Sequence, residues 1–328
     1  MKHLFKRGAL ATLMATGFLL GAPAQAADYP SKAISIVVGY PAGGSVDLTA
    51  RVLGEALSER LGQSVVIENL GGAGGTIGAG KVARAKPDGY TLLVGATNEM
   101  VIAGMINSAV NYDGLKDFTP VGMIAAQPMM LVASRETGVE TAAQYLEKLK
   151  AGKAGDYTFG SSGIGTALHL AGEMINESTG TSAAHIPYRG VAPLLTDLVS
   201  GQLNYGIFVM SSGLPHVKSG KVVALGVTEA QRSPAAPDMP ALAEFPGFEN
   251  VDINVWFGLY GPAGLPDDVA AKLKAALDDV LQNDDEFRKK LEASGATLYK
   301  PGMDAGKFQV AETEKYARLV KLAKIERQ

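Results

Sequence analysis

The sequence contains no cysteine, so a disulfide framework, a thiol nucleophile and a cysteine-ligated metal are all excluded. It has one tryptophan and four histidines, and one of those, His3, stands at the extreme start. No H-E-x-x-H pair and no acidic calcium loop occurs, so no metal site has a spacing to support it. The serine-hydrolase elbow G-x-S-x-G is missing too, since counting from Gly160 the fifth position is Ile164. A dinucleotide fingerprint fares no better. The nearest match, Gly78-Gly80-Ala83, sits inside an expected helix instead of at its mouth. No cofactor and no metal are therefore expected, and His169, His185 and His216 read as surface or satisfied core residues.

Long apolar runs are lacking as well. Gly8 to Gly21 is too short to span a bilayer, but it comes after Lys2, Lys6 and Arg7 and precedes the small-residue motif Ala24-Gln25-Ala26. Met1–Ala26 reads as an export signal cleaved near Ala26, which places the remainder in a bacterial periplasm. Three of the 30 Lys/Arg and none of the 33 Asp/Glu fall in that segment, so the chain beyond Ala26 carries a net charge of −6. A mildly acidic chain has no basic footprint for nucleic acid or anionic lipid. About 300 residues is too long for one ordinary core and favours two domains.

The residues that are present begin with an apolar run, Ile34–Val38, stopped by Tyr40-Pro41-Ala42-Gly43-Gly44. Ser45 and Asp47 stand where a helix starts, with Leu48, Val52 and Leu57 next at helical spacing. A strand ending in a glycine turn at a helix start gathers backbone N–H groups and the positive end of a helix dipole, a ready site for a carboxylate. Asp47 in that first turn would stabilise the helix with or without a ligand.

Strand and helix then alternate. Ser64–Glu68 leads into the glycines of Gly71–Thr76, and Tyr90–Val94 leads into Gly95-Ala96-Thr97-Asn98. This is the pattern of parallel sheets, whose ligands lie outside the carboxyl ends of the strands. The opening device recurs where Tyr157–Phe159 runs into Gly160–Thr166 and a helix from Ala167. Two such loops facing each other across a cleft could hold two anionic ends of one ligand. Val121–Ser134 reads as two apolar strands broken at Pro128. The tail beyond Pro266 reads as helices returning to cover the first domain.

The chain resembles the periplasmic receptors of tripartite tricarboxylate transporters, the Bordetella-uptake-gene family. The resemblance rests on Tyr29-Pro30-Ser31-Lys32, Pro41 through Asp47, Glu68-Asn69 with Gly71 through Gly75, and Pro87 through Leu92. It continues through Asp117 to Pro120, His185 through Gly190, Arg232-Ser233-Pro234, Trp256-Phe257-Gly258 and Gly261 through Gly264. It implies an α/β, type II-like periplasmic binding protein of two lobes, each a mainly parallel sheet flanked by helices, with the ligand in the interdomain cleft. Residues 27–127 plus 253–328 would form the first lobe and 128–252 the second, hinged near Ala126–Met129 and Asp252–Val255.

The resemblance further implies a non-enzymatic receptor for a small carboxylate, a di- or tricarboxylate of aliphatic or aromatic kind, delivered to the membrane permease of such a transporter. Carboxylates would be held by the loops Tyr40–Asp47 and Ser161–Thr166. The candidate ligand residues are Tyr40, Pro41, Ala42, Gly43, Gly44, Ser45, Val46, Asp47, Gly75, Thr97, Ser161, Ser162, Gly163, Thr166, Arg189, Phe208 and Val209. Many relatives carry an acid in the strand after G-Q, where this chain has Ile207–Met210. With no counter-ion there for an ammonium, the expectation is a dicarboxylate such as adipate or terephthalate, bound at least as well as citrate and better than glutamate. Phe208, Val209 and Met210, with Trp256, Phe257 and Tyr260, would supply an apolar middle. A periplasmic hydrolase of carboxylate esters or amides, and a receptor feeding a two-component sensor, are the alternatives.

Overall fold

The computed structural model describes residues 29–327; the export segment lies outside them. The strand β1 (Ile34–Val38) pairs in parallel with β2 (Val65–Asn69) on one side and β3 (Thr91–Ala96) on the other. Between them run α1 (Ser45–Leu61) and α2 (Thr76–Ala83). The helix α1 buries Val46, Ala50, Leu53 and Leu57 against this sheet and ends where Gly62 takes a left-handed φ of 65°. Leu48, expected on the buried stripe, is instead 37% exposed. The loop expected after β3 is a π-helical turn over Asn98–Ile102 that continues into the short helix α3 (Ala103–Ile106).

The next strand, β4 (Phe118–Ala133), is one continuous strand of 16 residues and not two. Pro128 lies on its last rung shared with a later strand, and Met129 begins a new ladder. A missing N–H is tolerated where one ladder stops and the next starts. The chain continues through α4 (Ala142–Ala151), β5 (Thr158–Ser161), α5 (Ala167–Thr179), β6 (Ala184–Pro187) and α6 (Val191–Val199). It then forms β7 (Tyr205–Val209), α7 (Met210–Lys218) and β8 (Val223–Val227) before returning as β9 (Asn254–Pro262). The end comprises α8 (Asp267–Asn283), α9 (Asp285–Ala293), β10 (Thr297–Leu298) and α10 (Ala305–Leu322).

Two lobes result, and β4 serves both. Its first part is antiparallel to β9 and β10, and β9 in turn is antiparallel to β3, so this sheet is mixed. Its second part is antiparallel to β7 and β8, while β5 runs parallel to β6 and β7. Thr228 ties the two crossing strands together. Its hydroxyl donates to the Ile253 carbonyl at 2.6 Å and accepts from the Met129 N–H at 3.1 Å. The helices α8 and α9 pack on α1, and α10 packs on the π-helical turn.

Candidate functional site

A cleft of about 760 Å³ opens between the lobes. Its second-lobe wall is the loop Ser162–Thr166 at the start of α5. Thr166 is the N-cap: its hydroxyl accepts from the His169 N–H at 3.3 Å and donates to the Gly163 carbonyl at 2.9 Å. One more donor of this helix start is taken from across the cleft. The Ala167 N–H donates to Asn98 Oδ1 of the first lobe at 2.7 Å. Gly165 passes so close to the first lobe that a Cβ there would lie 1.7 Å from Ile106 Cδ1, and its φ of +71° also favours glycine.

The first-lobe wall is Tyr40, Pro41 and the turn Gly72–Gly75. Gly75 has φ +97°, and a Cβ there would meet Glu99 Oε2 at 2.7 Å and the Tyr40 hydroxyl at 2.9 Å. Behind the glycine lies Glu99, 1% exposed. Its Oε1 accepts from the Ala96 N–H and its Oε2 meets the Tyr40 hydroxyl, both at 2.6 Å. Burial without a cationic partner pushes this carboxyl up to about 7, despite the bonds from Tyr40 and the backbone. Burial, and then the Glu99 carboxyl, push the Tyr40 hydroxyl well above its ordinary range. Asn98 Nδ2 also donates to that hydroxyl, at 3.1 Å.

Arg189 and its neighbour Tyr188 line the cleft. The Tyr188 hydroxyl donates to Asp197 at 2.7 Å; burial, with Asp197, pushes it up to about 12. Ala103, Ile106 and Ile164 give the lining apolar surface, and Ile325 and Glu326 approach from beyond α10.

The sequence-derived residues divide. Tyr40, Pro41, Gly75, Ser162, Gly163, Thr166 and Arg189 come together on the cleft. Ala42, Gly43, Gly44 and Ser45 form the turn and first residue of α1 but stand off the lining, and Val46 is packed in the core. Asp47, 3% exposed, turns back into its own loop, accepting from the Gly43 N–H, Arg51 and the Asn69 amide at 2.8–3.0 Å. Burial works to raise that carboxyl, but those three donors outweigh it and hold it below the usual range.

Thr97 and Ser161 are fully buried, and the Thr97 hydroxyl accepts from the Trp256 N–H at 2.9 Å. Phe208, Val209 and Met210 are core residues, Phe208 packing beside Gly206 and Gly213. Trp256, Phe257 and Tyr260 are likewise no more than 1% exposed, so the apolar middle expected from these six side chains is not theirs. Alternation along a strand tells which residues share a face but not which face is the cleft. Asn98, Glu99, Ile106 and Tyr188 are not among the expected ligand residues, while Gly165 falls inside the expected loop Ser161–Thr166. The available signal for Glu99 was a lone acid directly before the apolar run Met100–Ala103.

A serine and a histidine do meet: Ser161 Oγ lies 2.7 Å from His185 Nε2. The serine is 0% exposed and bonded to both backbone groups of Gly163, and so braces the loop. His185 stacks on His169 with ring centroids 3.7 Å apart. Burial, and then His169, push His185 down to about 3, leaving it a poor base at neutral pH.

No helix of the described residues is long and apolar enough to cross a membrane. A family model described as a tripartite tricarboxylate transporter family receptor matches residues 49–325. Protein BugT of Bordetella pertussis is 32% identical over 265 residues, which is 80% of this chain and 81% of BugT. Among solved structures, an R. palustris protein with adipate aligns with a TM-score of 0.86 at 30% identity, covering 92% of this chain and all of that one. MatC from Rhodopseudomonas palustris with bound malate aligns with a TM-score of 0.80 at 29% identity, covering 90% of this chain and all of that one.

Proposed function

The chain belongs to the family of tripartite tricarboxylate transporter receptors, and from that premise we propose that it is an exported periplasmic receptor for a dicarboxylate. The ligand is held between the lobes and presented, without covalent chemistry, to the permease of such a transporter. The lobes are residues 27–127 with 253–328, and 128–252, and they move about Ala126–Met129 and Asp252–Val255.

The observation that carries this reading is the make-up of the cleft. One end has Arg189 and the α5 loop, the other has Tyr40 and the Gly72–Gly75 turn, and Ala103, Ile106 and Ile164 lie on the same lining. Charged ends meet N–H, hydroxyl and guanidinium groups, while a hydrocarbon spacer leaves water at about 25 cal/mol per Å². Adipate and malate, seen in two similar proteins, carry a carboxylate at each end, and adipate has the hydrocarbon spacer as well.

Calorimetry on one preparation with adipate, terephthalate, malate, citrate and glutamate tests it. Adipate or terephthalate binds at least as well as citrate and much better than glutamate, whose ammonium would have only Glu326 among the lining residues to pair with. A ligand at about 100 times its dissociation constant raises stability by roughly 2.7 kcal/mol. Tight glutamate binding, or binding of a neutral sugar with none of the acids, overturns the reading.

A further inference from the structure

Glu99 is not a surface acid, and its surroundings leave one proton short. The Tyr40 hydroxyl has one proton and two acceptors, Glu99 Oε2 at 2.6 Å and the Gly74 carbonyl at 2.9 Å. If Glu99 is ionised, Tyr40 gives its proton to the carboxylate, and the Gly74 carbonyl loses it. If Glu99 carries a proton, that proton goes to the Tyr40 oxygen, Tyr40 donates to Gly74, and every contact is satisfied. Asn98 donates to the same oxygen in either case.

The ionisable groups facing Glu99 are all hydroxyls. Tyr40 comes from the loop after β1, Tyr112 from the segment before β4, and Tyr260 from β9. Tyr112 donates to the Glu99 backbone carbonyl at 2.8 Å. The helix α10, packed over this turn, brings the neutral Gln309 to the Met100 carbonyl. Among the described residues, Glu99 makes no salt bridge. Tyr40, Gly74, Gly75 and Asn98 all line the cleft, so an anion seated there stands directly across this layer from the carboxyl.

We propose that Glu99 is the proton-carrying residue of the cleft: an anionic ligand binds to the form in which Glu99 is a neutral acid donating to Tyr40, so that binding is coupled to uptake of one proton. The inference rests on the reading of the cleft as a carboxylate site. A second negative charge nearby in a site of low polarity raises the cost of ionising Glu99, and linkage then requires affinity to fall as pH rises. Glu99 acts through Tyr40 and is a positioning residue, not a ligand contact.

Calorimetry with adipate and malate in two buffers of different ionisation enthalpy, between about pH 6 and pH 9, counts the protons directly. The carboxyls of both probes are fully ionised in the upper part of this range, where the count is read. The wild-type protein takes up part of a proton near neutrality and approaches one above it, with affinity falling by up to about tenfold per pH unit there. Glu99→Gln, whose amide N–H replaces the acid proton towards Tyr40, binds with an affinity independent of pH and an enthalpy independent of buffer. Tight wild-type binding without proton uptake overturns the proposal while leaving the carboxylate reading intact. Uptake that persists in Glu99→Gln assigns the proton elsewhere and also overturns it. If neither probe, terephthalate nor citrate binds at any pH, the carboxylate reading itself fails and the proposal with it.

Discussion

Asn98 Oδ1 accepts from the Ala167 N–H at 2.7 Å and thereby joins the first lobe to the first turn of the helix that opens the second lobe's binding loop. The same amide donates to Tyr40, so one side chain connects both walls of the cleft. A net hydrogen bond contributes about 0.5–1.5 kcal/mol. Asn98→Ala should weaken adipate binding roughly five- to tenfold and increase the radius of gyration of the unliganded protein. Unchanged scattering and affinity would show that the bond does not hold the lobes together.

Gly165 and Ile106 set a second limit on closure. A methyl group at 165 would lie 1.7 Å from Ile106 Cδ1, so Gly165→Ala should displace that side chain or the loop and reduce affinity at least about tenfold. Adding Ile106→Ala should recover part of that loss, short of about 1–2 kcal/mol for the left-handed backbone at 165. A double variant no better than the single one would place the defect in the backbone alone.

Arg189 is the charged side chain best placed to meet one end of a dianion. A charge-assisted bond contributes about 1.5–3 kcal/mol, so Arg189→Gln should raise the dissociation constant for adipate about tenfold or more and flatten its dependence on salt. Equal affinities of variant and wild type at low salt would remove Arg189 from the site.

The folded state raises the ionisation point of Glu99 above its unfolded value, up to about 7. Between the unfolded value and about 7 the folded chain binds a proton that the unfolded chain has lost, so this residue lowers stability progressively as pH rises through that window and no further above it. Glu99→Gln cannot ionise. Unliganded, it should match the wild type in denaturant stability near pH 4 and exceed it by on the order of 3 kcal/mol above pH 7. A variant less stable at every pH would mean that Glu99 is held ionised by groups other than Tyr40 and the Ala96 N–H.

Local pattern determined a great deal. The apolar run Ile34–Val38, the breaker Tyr40–Gly44 and the helical spacing after it specify a strand–turn–helix unit, and its repetition at Thr158–Thr179 specifies an α/β chain in two parts. These signals are legible because backbone propensity, turn chemistry and hydrophobic periodicity all act within a dozen residues. The ordered motifs from Tyr29 to Gly264 were enough for the family. That Ser162–Thr166, Tyr40 and Arg189 stand at strand ends was legible in the same way, since glycine, hydroxyl and cationic residues there announce themselves.

Only the tertiary structure decided which of those loops face the cleft. Asp47 looked like part of an anion site, yet it is consumed by Gly43, Arg51 and Asn69, the last of which comes from β2, and a hydrogen-bond partner distant in sequence leaves no local mark. Phe208 and Trp256 alternate as strand residues should, but burial is settled by the helices laid over each sheet, and those put both side chains in cores. Pro128 reads as a break in isolation and is a rung in the fold, because β4 changes partners there. Glu99 is the strongest instance. Its charge state is set by the loss of water, against hydrogen bonds from the nearby Ala96 N–H and from Tyr40 of a separate segment, so the chemistry of that carboxyl exists only after the chain has folded around it.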